Sequence, residues 1–137
     1  MKLKEAFYEF TNKYQFPYIE KEIDNVYQSC IEINTEKGLW DGFTTIYEED
    51  KIFVFTINMG VKIPDDKMTE VQCYLAELSS KLKVGGFLVD PELGMLVCRC
   101  GQFVTEGGEA KTIERVIFAC VQIAQEYFEE IMYKIFN

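Results

Sequence analysis

The sequence predicts an α+β fold in which helices pack on an antiparallel sheet. Three observations support this prediction: helical spacing of apolar residues near both termini, period-two alternation between them, and short turns rich in Gly, Asp and Pro. The predicted order is α-β-β-β-α-β-β-α, with five strands in a twisted sheet. The length of 137 residues suits a single domain, residues 1–137, and no repeat or linker divides it.

The first helix is predicted from apolar residues at positions i, i+4, i+7 and i+11. These residues are Leu3, Phe7, Phe10 and Tyr14. Charged residues fill the spaces between them, as in an amphipathic helix. Pro17 ends the helix, and a connector is expected from there to the first strand, which begins at Val26.

Three strands are predicted at residues 26–34, 39–47 and 52–60, where apolar residues alternate with polar ones. The turns between these strands are short, so the three should form an antiparallel meander. Pro64-Asp65-Asp66 then indicates the start of a second helix. Two further strands are expected at residues 86–90 and 95–104, and one long helix from Glu109 to Phe136 closes the chain.

Both faces of the predicted sheet are partly apolar. Phe53, Phe55 and Ile57 alternate with Val54, and Phe43 and Tyr47 lie opposite another apolar set on their own strand. A sheet with one solvated face would alternate more cleanly, so a helix, another subunit or a ligand should cover part of the second face. Exposed apolar patches mark interaction sites. Phe43, Tyr47 and Val54 are therefore the predicted partner-contact surface.

The terminal helix carries an apolar stripe that extends well around its surface, from Ile113 to Ile135. A helix of this kind is deeply buried or is shared with a second body. The sequence leaves both possibilities open.

Charge and composition exclude several classes of function. There are 23 acidic and 14 basic residues, which give a formal net charge of −9. Such a chain has no general attraction for nucleic acid or for anionic membranes. It contains no histidine, which excludes Ser-His and Cys-His catalysis and imidazole ligands for metals. No catalytic, cofactor-binding or metal-binding motif is recognised, and no cofactor is expected.

Five cysteines, an odd number, do not form a recognisable disulfide framework. These are Cys30, Cys73, Cys98, Cys100 and Cys120. No signal peptide or membrane-spanning run is recognised, so a reduced protein of the cytoplasm is expected. Cys98 and Cys100 should share one face of a strand, and Cys73 and Cys120 fall within helical stripes. Buried thiols are the favoured interpretation, and a metal or redox role is the alternative.

The stretch from Leu39 to Cys100 resembles the YbjN family of bacterial proteins. The resemblance rests on an aliphatic–aromatic strand, a Pro-led helix, and a run that includes Leu78, Gly85 and Phe87. A Gly-closed turn, a strand and a long final helix follow, so that residues 26–136 are covered. It implies the fold of type III secretion chaperones, a regulatory or chaperone-like role, and no catalytic residues.

The leading hypothesis is a non-enzymatic protein-binding or regulatory module that forms a homodimer or holds a protein segment. The first alternative is a small-molecule-binding protein or minor enzyme with an aromatic-lined pocket. The second is a monomer whose own helices cover every apolar surface.

Overall fold

Three helices lie on one face of a six-stranded antiparallel sheet in the computed structural model, which describes residues 1–137. The strands are β1 (Tyr18–Ile23), β2 (Val26–Thr35), β3 (Gly38–Tyr47), β4 (Ile52–Lys62), β5 (Gly86–Val89) and β6 (Met95–Phe103). The helices are α1 (Leu3–Lys13), α2 (Met68–Ser80) and α3 (Glu109–Phe136). The strand order in the sheet is β1-β2-β3-β4-β6-β5. The α+β class and the antiparallel sheet are confirmed.

The predicted connector after Pro17 is in fact a strand, so the expected count of five strands is wrong. β1 pairs with β2 in a hairpin whose two turn residues, Asp24 and Asn25, have φ values of 52° and 66°. Two positive φ angles in succession give the turn that matches the twist of a hairpin, and Asp and Asn tolerate them. Strand β1 escaped prediction because charged residues occupy its centre and no side chain in it is buried.

The helix-covered face of the sheet contains most of the core. Phe53, Phe55 and Ile57 of β4 are all 0% exposed, and 30 buried residues form one contiguous cluster. Close packing dictates a glycine on the adjacent strand. A Cβ atom at Gly42 would lie 2.5 Å from Cζ of Phe55.

The first helix packs on the same face as α3 and leaves the second face uncovered. The ring of Phe7 lies 6.0 Å from that of Tyr27 on β2, centroid to centroid. The turn between β3 and β4 caps this helix, because the Glu48 carboxylate accepts hydrogen bonds from Leu3 N–H and Lys4 N–H at 3.1 Å each. A carboxylate at a helix N-terminus satisfies free N–H groups and complements the helix dipole.

The broad stripe of α3 is buried within the chain itself. Its fully buried residues contact β4, β6 and α1: Ile113, Val116, Ile117, Cys120, Ala124, Ile131 and Ile135. The wider part of the stripe packs at the margin of the core, as the 5.8 Å separation between the rings of Phe128 and Trp40 shows. Helix α2 lies beside α3, where Lys134 pairs with Glu70 at 3.2 Å.

Candidate protein-binding surface

The sheet face opposite the helices is exposed, and we call it the open face. Seven of the 13 exposed large hydrophobic side chains lie on this face or on the turn at its edge. These seven are Ile19, Ile23, Leu39, Phe43, Leu88, Leu93 and Phe103. Their concentration on one side makes the open face the main apolar surface of the molecule.

An apolar row crosses one end of the open face. Cross-strand pairing places its five members side by side on five neighbouring strands: Ile23, Val26, Tyr47, Ile52 and Phe103. Ile23 and Phe103 are exposed by 57% and 73%, whereas the three between them are half-buried. Side chains on adjacent strands contact each other directly, so the row is a continuous apolar strip.

The opposite end of the open face is acidic. Glu32 pairs with Asp41 across β2 and β3, and both side chains are exposed. Asp90 and Glu92, on the turn between β5 and β6, line the same end. We call these four carboxylates the acidic end. None of them forms an ion pair, although six other carboxylates in the chain pair with lysines.

The three predicted contact residues all lie on the open face but differ in exposure. Phe43 is 42% exposed and pairs with Cys30 and Thr56 on the neighbouring strands. Tyr47 is half-buried within the apolar row. Val54 is only 7% exposed, because it sits on the central strand between two others. Val54 is therefore almost inaccessible from solvent, whereas Phe43 and Tyr47 are the residues that a partner can reach.

Sequence reasoning missed the contribution of β1 and of the end of β6. Ile19, at 76% exposure, and Ile23 both project onto the open face. The sequence signal was the period-two placement of Ile19, Lys21 and Ile23 after Pro17, which the predicted connector did not take into account. Phe103 was placed on a strand, but its position in the row depends on the register between β4 and β6.

A groove of about 740 Å³ runs over the centre of the open face. Ile19 and Lys21 line one side, and the turn that contains Asp90, Glu92 and Leu93 lines the other. Cys30, Phe43, Thr45, Thr56, Asn58 and Val97 line its floor. Burial, followed by the nearby charges of Asp41 and Glu32, raises the pKa of Cys30. This shift favours the neutral thiol over the thiolate.

Strand β1 is held in place by a carboxylate on the helix side. Glu20 Oε2 accepts hydrogen bonds from the hydroxyls of Tyr8 at 2.8 Å and Tyr27 at 2.7 Å. The bond from Tyr27 and then the bond from Tyr8 lower the pKa of Glu20. Because Tyr8 belongs to α1 and Tyr27 to β2, Glu20 ties this edge of the groove to both elements.

Three thiols meet inside the core on the helix side. The Sγ atoms of Cys98 and Cys120 are 3.8 Å apart, and Cys100 is 1% exposed beside them. Hydrogen bonding to Cys100 and burial raise the pKa values of Cys98 and Cys120. All five cysteines are free. Cys98, Cys100 and Cys120 are buried as predicted, but Cys73 is exposed, because it faces away from the stripe that buries Val71 and Leu75.

No group of three or more Cys, Asp or Glu side chains has an arrangement that could hold a metal ion. None of the helices combines the length and the apolar character needed to cross a bilayer. Compared with protein-family models, curated proteins and solved structures, the chain matches none of them. The resemblance to the YbjN family therefore stays a prediction.

Proposed function

We propose that this protein is a non-enzymatic protein-binding module whose open face is the binding surface. The observation that carries the proposal is the set of exposed apolar side chains on the open face, Phe43 among them, on a sheet whose other face holds all three helices. Its occupant is a second copy, in a homodimer, or a segment of another protein. Six strands about 4.8 Å apart and about eight residues long on average give roughly 760 Å² of flat face. That area approaches the roughly 800 Å² per partner of a standard protein interface.

The wider setting of the proposal comes from the sequence. We propose a type III secretion chaperone-like fold and a regulatory role, as the resemblance to the YbjN family implies. Five unpaired cysteines support a reducing compartment such as the bacterial cytoplasm. The chain offers no His, and the one thiol in the groove, that of Cys30, has a raised pKa. Binding without catalysis is therefore the function that the open face supports best.

The test compares two double variants of matched composition. Phe43→Ser with Tyr47→Ser alters the open face, whereas Phe136→Ser with Tyr133→Ser alters exposed aromatics at the end of α3. Self-association is measured by sedimentation at several concentrations, and segment binding by selection from a random peptide library. Circular dichroism checks that each variant keeps its fold.

The open-face variant should lose self-association or the selected peptides, and the α3 variant should keep them. Equal behaviour of the two variants, with both folded, would remove the open face as the binding surface.

A second candidate function is the binding of a small molecule. The groove volume of about 740 Å³ lies within the range of about 300–1,000 Å³ that is typical of ligand pockets. A thermal-shift screen tests this candidate, because a ligand at 100 times its Kd should stabilise the fold by roughly 2.7 kcal/mol. The Phe43→Ser variant should lose that shift. The absence of any shift across a broad metabolite panel would count against this candidate.

A further inference from the structure

We infer that the groove on the open face binds an amphipathic helix of a partner protein, with basic residues at one end of that helix. This inference rests on the proposed function and names the chemistry of the partner. It depends on three features of the open face: the hydrogen bonding of its backbone, its length along the strands, and the location of the apolar row and the acidic end at opposite ends.

The floor of the groove has no free backbone groups. Each floor residue pairs with a residue on both neighbouring strands, so the backbone N–H and C=O groups there are used within the sheet. A segment lying on this floor must therefore satisfy its own backbone hydrogen bonds. A helix does so, whereas an extended segment would leave its own groups unpaired unless it moved to an edge strand.

The edge offered by β1 is poorly suited to pairing with a copy of itself. In antiparallel self-pairing that keeps the helices on one side, the register centred on Lys21 places Lys21 opposite Lys21. The register centred on Glu20 places Glu20 opposite Glu20. Like charges directly opposite each other destabilise a strand pair, and edge strands use charge in this way to prevent association. The charges of β1 therefore disfavour a dimer formed through this edge strand.

The dimensions of the open face suit a short helix. From the apolar row at Tyr47 to the acidic end at Asp41 is six residues along β3, which is about 20 Å. About 14 helical residues cover that distance. A helix laid along β3 would place one end over the apolar row, its middle over Phe43 and its other end over Glu32 and Asp41.

The unpaired carboxylates determine the charge of the occupant. Glu32 and Asp41 lie at one end, and Asp90 and Glu92 lie at the same end beyond β6, where Lys62 is also exposed. Arg99 lies in the row of Phe43, and Lys21 lies one row farther toward the apolar row, so the carboxylates outnumber the lysine at the acidic end. A helix with Lys or Arg over the acidic end would pair with carboxylates that form no ion pair within the chain. The orientation of the bound helix is fixed, because its apolar end would lie over the apolar row and its basic end over the acidic end.

The experiment uses fluorescein-labelled peptides of about 18 residues and the intact protein. One probe has a Leu stripe at helical spacing and Lys residues confined to one end. A second has Glu in place of these Lys residues, and a third contains a central Pro that breaks the helix. Binding is measured by fluorescence anisotropy. The protein variants are Asp41→Asn with Glu32→Gln and, as a control of equal net charge, Glu9→Gln with Glu126→Gln, two exposed positions on the helices.

The Lys-ended helix should bind, and the Glu-ended and Pro-broken probes should bind at least about tenfold more weakly. Asp41→Asn with Glu32→Gln should weaken binding of the Lys-ended helix about three- to tenfold. The control pair should leave its affinity within about twofold. Equal weakening by both pairs would mean general attraction to an acidic protein, and would overturn the inference. Equal binding of the Glu-ended or Pro-broken probe would overturn it as well.

Two further outcomes separate this inference from the proposed function. Concentration-dependent dimers that the Phe43→Ser with Tyr47→Ser variant abolishes would assign the open face to a second copy. The inferred helix would then be wrong and the proposed function would stand. Binding of the Lys-ended probe that is insensitive to both Phe43 and Tyr47 would count against the proposed function together with the inference.

Discussion

Both faces of the sheet carry large apolar side chains, but these side chains differ in exposure between the two faces. Phe53 and Phe55 on the helix side of β4 are 0% exposed, whereas Phe43 and Phe103 on the open face are 42% and 73% exposed. Burial of a Phe side chain contributes about 1.5–3 kcal/mol to folding, and an exposed one contributes little. The covered face therefore stabilises the fold, whereas the apolar side chains of the open face stay accessible to solvent.

The strongest way to break this comparison is to truncate one aromatic on each face. Phe55→Ala should lower the free energy of unfolding by about 3–5 kcal/mol, because it leaves a cavity under α3. Phe43→Ala should change it by less than about 1 kcal/mol, because water already reaches that ring. Urea unfolding of both variants measures the difference. Similar losses for the two would show that the open face carries stability after all.

Glycines on the two faces provide a second, smaller contrast. Gly42→Ala would place a Cβ 2.5 Å from the Phe55 ring, and this overpacking should cost about 1–3 kcal/mol. Gly101→Ala on the open face would place a Cβ 3.3 Å from Val54 Cγ2 and 3.6 Å from the Phe53 carbonyl oxygen, contacts that need only a small adjustment. We expect a loss of under about 1 kcal/mol there. Thermal unfolding compares them, and a tolerated Gly42→Ala would contradict the tight packing of the covered face.

The contribution of Glu20, on the edge strand β1, to the free energy of unfolding should depend on pH. The lowered pKa of Glu20 means that its carboxylate stabilises the fold above the ordinary value of 4.5. That contribution is lost as the pH falls through the lower pKa of the folded state. Glu20→Gln should therefore be less stable than wild type at pH 7, and the two should converge in acid.

Urea titrations at neutral pH and near pH 3 measure this convergence. Glu9→Gln, at an exposed position without a hydrogen-bond partner, is the control for the loss of one surface carboxylate. A stability gap between wild type and Glu20→Gln that persists unchanged in acid would refute the role of the carboxylate.

Local pattern was sufficient for most of the fold, because period-two alternation and short turns decide which residues share a face. The positions of Phe43 and Tyr47 followed from that alternation alone. The strand at residues 18–23 was hidden because its two Ile residues flank charges whose partners, Tyr8 and Lys4, lie on α1. Which face of the sheet the helices cover depends on contacts between segments that are far apart in the sequence. For the same reason, neither the buried state of Val54 nor the exposure of Cys73 could be predicted from sequence.

The smallest contrast concerns hydroxyls rather than rings. Ser29 and Thr44 are cross-strand neighbours on the covered face, and their side-chain oxygens are buried without a hydrogen-bond partner. An unsatisfied buried hydroxyl costs free energy, so Thr44→Val, which keeps the shape of the side chain, should stabilise the fold by up to about 1 kcal/mol. Thr45→Val, one residue away on the open face, removes a half-exposed hydroxyl and should change stability by less. Urea midpoints with unchanged slopes measure both. A destabilised Thr44→Val would show that this hydroxyl has a partner on the covered side, and that polar groups as well as apolar packing hold the helices to the sheet.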